Sequence, residues 1–341
     1  MRGLGAGGWH EAAAQGGPAA ALLALTNDVQ QAAWSRARDV VRTCARLGVQ
    51  VLEFGQPTYP TSLTALADAP PVLFALGRVD RLSRVSVAIV GTREATSYGV
   101  RVTARFASGA SRAGVTVVSG LARGVDAHAH RAALDGEGGT VAVLGTGVDM
   151  PYPLENLALY ETICRHGVVV SEALPGARAH RGAFPRRNRL IAALADVILV
   201  TEAGHRSGAL ITATVGGAIN RICAAVPGPI DVPASAGSNQ LLRDGAQAVA
   251  SVEDLLGLLA LTTRGRMGGR ALSTSTAPDA TELGQDESAV VDVLRVGPRL
   301  PDELLAASGL SPSALAAALA TLTVQGWAEV DASGMVRAAW R

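Results

Sequence analysis

Short apolar runs alternate with helically patterned stretches through the middle of the chain. Val85–Val90, Val115–Val118, Thr140–Leu144, Val168–Val170, Val197–Val200 and Ile222–Val226 are mostly Val, Ile, Leu and Ala. None shows sustained polar alternation, which is the pattern of strands buried on both faces. Helical segments separate the runs. This predicts βαβ units that form an α/β core around a mostly parallel sheet. The pattern changes on either side. Residues 1–78 are helically patterned, most clearly over Asn27–Leu47, with turn-rich connections at Gln56-Pro57-Thr58-Tyr59-Pro60 and Ala69-Pro70-Pro71. Residues 261–284, containing Gly268-Gly269 and Ser273-Thr274-Ser275-Thr276, read as a linker. Residues 285–341 read as three helices and a short hairpin. The expected organisation is a small helical domain (1–78), the sheet core (79–260), the linker (261–284) and a small C-terminal domain (285–341). A length of 341 residues also suits two or three domains.

Glycine-rich turns follow the strand candidates: Gly91-Thr92-Arg93, Ser119-Gly120-Leu121-Ala122-Arg123-Gly124, Gly145-Thr146-Gly147 and Gly204-His205-Arg206-Ser207-Gly208. In an open α/β sheet such turns gather at the carboxyl edge of the strands. Backbone N–H groups and helix N-termini then face one crevice, which suits anions. A nucleotide, a phosphosugar or a nucleic-acid backbone all fit. The dinucleotide fingerprint is missing after the first strand, where the glycines are Gly91 and Gly99, so a nicotinamide cofactor is not expected. Asp126-x-His128-x-His130 offers only Asp126 and His130 on one helical face, and capping and packing are preferred over a metal site. No G-x-S-x-G elbow gives Ser119 or Ser207 a catalytic context, so both read as anion donors in their turns.

Charge narrows the choice. The chain carries 30 basic against 29 acidic residues, yet the window Arg178–Arg189 holds Arg178, Arg181, Arg186, Arg187 and Arg189 and no acid. Phe184 sits inside this cluster. Arginine forks beside an exposed ring are what a single-stranded nucleic acid requires, for phosphates and for a base face. The competing reading is a surface loop whose charge is balanced by acids elsewhere in the fold. Pro185 predicts an extended backbone at Phe184, because αR is disfavoured before proline. No lysine occurs in the sequence. This excludes Schiff-base chemistry and a Walker A loop, and makes every side-chain phosphate contact an arginine fork. Cys44, Cys164 and Cys223 are far apart, as expected for buried thiols in a reducing cytoplasm. No apolar run reaches membrane length, and the first residues lack a signal-peptide core.

The ordered motifs Val87–Arg93, Ser119–His128, Ala142–Gly147, Phe184–Arg189, Ser207–Thr212, Val226-Pro227-Gly228 and Asn239–Ala246 closely resemble the DNA-processing protein A family (DprA, also called Smf) over about residues 57–256. The resemblance implies a Rossmann-like core that binds single-stranded DNA without catalysis and without a cofactor. It further implies a cytoplasmic homodimer that protects incoming single strands and loads the RecA recombinase in natural transformation, with no membrane partner. By the family's pattern, Arg93, Arg181, Phe184, Arg186, Arg187, Asn188 and Arg189 line the DNA pocket. The turns carrying Ser119, Gly120 and Arg123, and Arg206, Ser207, Gly208 and Thr212, lie beside it. Arg181 stands where family members often carry lysine, which keeps the charge and changes the hydrogen-bond geometry. The first block resembles the family's helical domain of the sterile-alpha-motif or helix-hairpin-helix type.

The last block looks like a winged helix, with helices at Leu300–Leu305 and Pro312–Val324 and a wing from Gly326–Val330 and Gly334–Arg337. Such folds usually read DNA with the second of these helices. Ser311–Gln325 contains no arginine, so a protein-contact or accessory role is expected. The rival functional class is a nucleotide-processing enzyme of similar fold, such as a phosphoribohydrolase, suggested loosely by Glu202-Ala203-Gly204. Its Gly-Gly-x-Gly-Thr-x-x-Glu signature is absent. A transcription factor is disfavoured by the uncharged helix.

Overall fold

The computed structural model describes residues 27–267, 283–295, 297–324, 327–330 and 335–338. It divides into two compact units, Met1–Thr262 and Thr263–Arg341.

The first unit is built on a nine-stranded sheet. Its strands are β1 (Gln50–Glu53), β2 (Val72–Gly77), β3 (Ser86–Val90), β4 (Thr116–Ser119), β5 (Thr140–Val143), β6 (Val168–Ser171), β7 (Val197–Val200), β8 (Ile222–Ala225) and β9 (Gln247–Ala248). Their order across the sheet is β1-β2-β6-β5-β4-β3-β7-β8-β9. From β6 to β9 all neighbours are parallel, whereas β2 runs antiparallel to both β1 and β6. The chain winds outward from β3 to β6, then returns to β7 on the other side of β3. The sheet therefore has its topological switch between β3 and β7, where the loops at the strand ends diverge and leave a crevice.

The helices are α1 (Asn27–Leu47), α2 (Ser97–Arg112), α3 (Val125–Ala133), α4 (Leu157–His166), α5 (Ala183–Leu194), α6 (Gly208–Ala218), α7 (Ala236–Arg243) and α8 (Val252–Met267). Alternate residues of the apolar strands serve opposite faces of the sheet. Ala88, Val90, Ile198 and Val200 pack with α5 and α6 through Leu190, Ile191, Ala209 and Ala213. Val87, Ile89, Val197 and Leu199 pack with α2, α3 and α8 through Phe106, Ala107, Ala129 and Leu255. Both faces are dry, which is why these strands lack a polar period.

The helical block expected over residues 1–78 does not stand apart in its described part. β1 and β2 are strands of the same sheet. Leu73 and Ala75 of β2 join the main core, while Phe74 packs with Cys44 of α1 and with Val49 and Val148. The apolar run Val72–Leu76 marks β2, although the neighbouring prolines read as a connection. The expected linker begins late, because α8 continues to Met267. Its portion over 268–282 lies outside the described residues.

The second unit comprises α9 (Gln285–Leu294), α10 (Pro301–Ser308), α11 (Pro312–Val324) and the antiparallel pair β10 (Ala328–Val330) and β11 (Val336–Ala338). Val290, Val291, Leu294, Leu304, Leu315, Leu322, Ala328 and Val336 form its core. Pro301 opens α10, where its missing N–H costs nothing. Glu303 accepts from the Leu300 backbone N–H at 3.1 Å. Gly309, at φ 68°, ends the helix. This is the winged-helix arrangement. Among the described residues no single helix is long and apolar enough to cross a membrane.

Candidate functional site

A crevice of about 730 Å³ opens at the carboxyl edge of the sheet, at the β3/β7 switch. Gly91, Thr92 and Arg93 line it from the turn after β3. Gly204, Arg206 and Ser207 line it from the turn after β7. Arg181 precedes α5, Phe184 and Pro185 come from its first turn, and Ile211 and Thr212 come from α6. The N-terminus of α6 is capped by the Ser207 hydroxyl, which accepts from the Ala209 N–H at 3.3 Å. Helix starts at the crevice add to its positive potential.

Phe184 is half-buried within the first turn of α5. Its backbone is helical, where Pro185 had suggested an extended conformation. Proline is tolerated in a first turn because the N–H groups there have no intrahelical acceptor. The Arg93 guanidinium lies over the Phe184 ring at 5.5 Å from its centroid, a cation–π contact. Tyr152 also packs against the ring, with centroids 5.5 Å apart and planes at 42°. Arg93, Arg181 and Arg206 are exposed, and among the described residues none of them has a carboxylate partner.

Arg186, Arg187 and Arg189 are placed differently from expectation. Arg187 is 5% exposed. Its guanidinium donates to the carbonyls of Gly120 and of Val143, the latter at 2.7 Å, and to Asn188 Oδ1 at 3.2 Å. It occupies the space a Cβ at position 120 would need, so a side chain there would displace the guanidinium. Arg189 pairs with Asp68 at 3.2 Å and with Glu172 at 2.5 Å, and Arg186 pairs with Glu172 at 2.9 Å. Acids distant in sequence thus balance Arg186 and Arg189, and Arg187 is buried away from the surface. Helical spacing carried this signal, because Arg187 shares a face with Leu190, Ile191 and Leu194, all buried. Asn188 lines the crevice and donates to the Gly208 carbonyl at 3.2 Å, tying α5 to α6.

The turn after β4 is held by the face of α3 that carries Asp126 and His130. Asp126 Oδ2 accepts from the N–H groups of Gly120 (3.1 Å) and Ala122 (3.4 Å). His130 Nε2 accepts from the Leu121 N–H at 3.2 Å, and its Nδ1 meets Thr140 Oγ1 at 2.6 Å. Asn156 Nδ2 donates to the Leu121 carbonyl at 3.0 Å. Leu121 is thereby fixed in a left-handed conformation, φ 57°, which is costly for a side chain of its size. The Ser119 hydroxyl is fully buried and donates to the Ile89 carbonyl at 2.7 Å. It therefore holds the frame and does not face an anion. Arg123 is exposed and reaches Glu155 at 3.5 Å.

Burial pushes the Asp126 carboxyl up, against the pull of Arg187 and the backbone N–H groups. Burial, Arg187 and Arg131 hold His130 down at about 3, so its ring is neutral. The Asp126/His130 pair is thus consumed by the turn, and among the described residues no cluster of metal-ligating side chains occurs. Glu202 is equally occupied. It is 1% exposed and accepts from the Thr96 N–H (2.8 Å) and hydroxyl (2.6 Å) at the start of α2.

Comparison with known proteins identifies the family. The family model of the DNA recombination-mediator protein A matches residues 50–260, and that of the DprA winged helix domain matches residues 274–334. A DprA protein of Mycobacterium tuberculosis is 45% identical over 264 residues, 76% of this chain and 67% of that relative. Protein Smf of Synechocystis is 42% identical over 62% of this chain, and the match spans about half (54%) of its length. Among solved structures, DprA from Streptococcus pneumoniae superposes with a TM-score of 0.59 at 38% identity, covering 61% of this chain and 73% of that one. DNA processing protein A from Helicobacter pylori, whose structure was described for its single-stranded DNA binding mode, gives 0.57 at 29% identity, covering 62% and 96%. The chain belongs to the DNA recombination-mediator protein A (DprA/Smf) family.

Proposed function

We propose that this protein binds single-stranded DNA in the β3/β7 crevice, without catalysis, and acts as a mediator of recombination. The observation that carries the reading is that Arg93, Arg181 and Arg206 line one crevice with a half-exposed Phe184, over whose ring Arg93 lies. Guanidinium forks suit phosphate oxygens, and a ring face suits any base. Ser207, Gly208 and Thr212 border the same space. Asp126 is the one carboxylate in the lining among the described residues, and it is bound to the β4 turn. No acid, base and nucleophile set converges there. The relative from Helicobacter pylori, with its single-stranded DNA binding, supports the same assignment.

Membership of the family supports a finer role. The protein protects incoming strands and delivers them to the RecA recombinase in natural transformation, working in the cytoplasm as a homodimer. The winged-helix unit serves a protein contact, because α11 carries no cation. Gel shifts of single- and double-stranded oligonucleotides across a salt series test the core claim. Single strands should be preferred, with log affinity falling by about 0.7 per log unit of salt for each phosphate neutralised. Arg93→Glu and Arg206→Glu should each weaken binding without altering thermal stability. Salt-insensitive binding would refute the electrostatic basis. Phosphoribohydrolase turnover lost on Glu202→Gln would favour the rival enzyme.

A further inference from the structure

Tyr152 stands beside the crevice and outside its lining. It is 48% exposed, although its ring packs at a tilt against Phe184. The loop that carries it follows β5. Arg206 follows β7 and Arg93 follows β3, and the sheet order is β7-β3-β4-β5. These groups therefore form a row along one sheet edge: Arg206, Arg93, Phe184, Tyr152. Neighbouring strands lie about 4.8 Å apart, so the row spans roughly 14 Å. That is room for more than one base at a stacking rise of about 3.4 Å. At the same end, Arg123 reaches from the β4 turn to Glu155, three residues beyond Tyr152. Their ion pair is exposed at both ends and thus weak, leaving the guanidinium available to a phosphate.

We infer that Tyr152 is a second base-stacking platform, which takes the nucleotide next to the one held at Phe184. The strand accordingly leaves the crevice on the β5 side. This rests on the single-strand reading of the crevice. A tyrosine half-open to water keeps its outer face unpaired, and a nucleobase has the flat apolar surface that covers it. Stacking reads no base edge, so the platform accepts any sequence.

The test is fluorescence anisotropy with two labelled oligo-dT lengths, one that fills the crevice alone and one that extends past it. Tyr152→Leu keeps apolar bulk against Phe184 and removes the aromatic face. It should lose roughly five- to tenfold on the longer strand, the lower part of the range for one base–aromatic stack. On the short strand it should match wild type. Tyr152→Phe should bind both lengths normally. In Tyr152→Trp the new indole emission should be quenched by the longer strand only. Equal losses on both lengths would mean that Tyr152 merely supports Phe184, and would overturn the inference. Wild-type binding that is abolished by Arg93→Glu and indifferent to Tyr152→Leu would overturn it while leaving the crevice reading intact. No wild-type binding at either length would overturn both.

Discussion

Replacing Arg187 by alanine should damage the fold before it damages DNA binding. The guanidinium is 5% exposed and donates to the backbone carbonyls of Gly120 and Val143. Its charge also opposes the effect of burial on Asp126. The substitution leaves two buried carbonyls without a donor and a buried carboxyl without its neighbouring cation. Removing one member of such a pair costs about 3–5 kcal/mol. In a unit of this size each kcal/mol lowers Tm by about 2–4 °C, so a fall of roughly 6–20 °C is expected. Circular dichroism melts read it directly, with Arg93→Ala as the exposed control that should shift by less than about 2 °C. Asp126→Asn provides a second arm. Residues that share one network are not additive, so the double variant should be less destabilised than the sum of the singles by about 0.5–3 kcal/mol. If Arg187→Ala melts like wild type, yet loses single-strand affinity as severely as Arg93→Glu, the guanidinium faces the ligand and the argument fails.

Further outcomes are expected. His130 is neutral with a value near 3, whereas an unfolded histidine titrates near 6.5. Stability from this group is therefore complete above about pH 6.5 and is lost as pH falls towards 3, by up to about 1.4 kcal/mol per unit; denaturant titrations of His130→Gln should show a shallower slope over that range. Phe184→Ala should cost about 1–3 kcal/mol of single-strand binding while Phe184→Trp retains most of it, both by anisotropy. A large drop in Tm with normal affinity for the alanine variant would return Phe184 to the core. A chain ending at Thr262, the boundary between the two compact units, should keep most of its single-strand affinity in gel shifts.

The parallel core was legible because each βαβ strand buries both faces, so Val87–Val90 or Val197–Val200 can hardly be read otherwise. α1 was legible from its period alone. β9 has two residues and β1 has four, too few to display a period, and β2 was hidden by the adjacent prolines. At the site, the motif order located the crevice, and Arg93, Arg181, Phe184 and Arg206 all line it. Sequence could not show which arginines of the cluster meet acids, because Asp68 and Glu172 come from other loops. Nor could it foresee that the Ser119 hydroxyl turns inward to Ile89. Charge density along the chain and charge density at a surface are different quantities, and only the fold converts one into the other. The fate of Arg187 was readable in principle, through helical spacing to Leu190, Ile191 and Leu194.

The switch between β3 and β7 also sets the order of events during synthesis. Ser86 and Asp196, which clasp the two strands, are 110 residues apart in the chain. The crevice has one wall from Arg93 and the opposite wall from Arg206 to Thr212. A nascent chain that has emerged only as far as α5 displays Arg93 and Phe184 but has no second wall. Closing a loop of that length is among the slower steps of folding, because its entropy must be met before any contact across it forms. The complete crevice therefore forms late and all at once, when β7 docks beside β3. Until that docking, Arg93 and Phe184 stand on one wall with no opposite wall to hold a ligand against them.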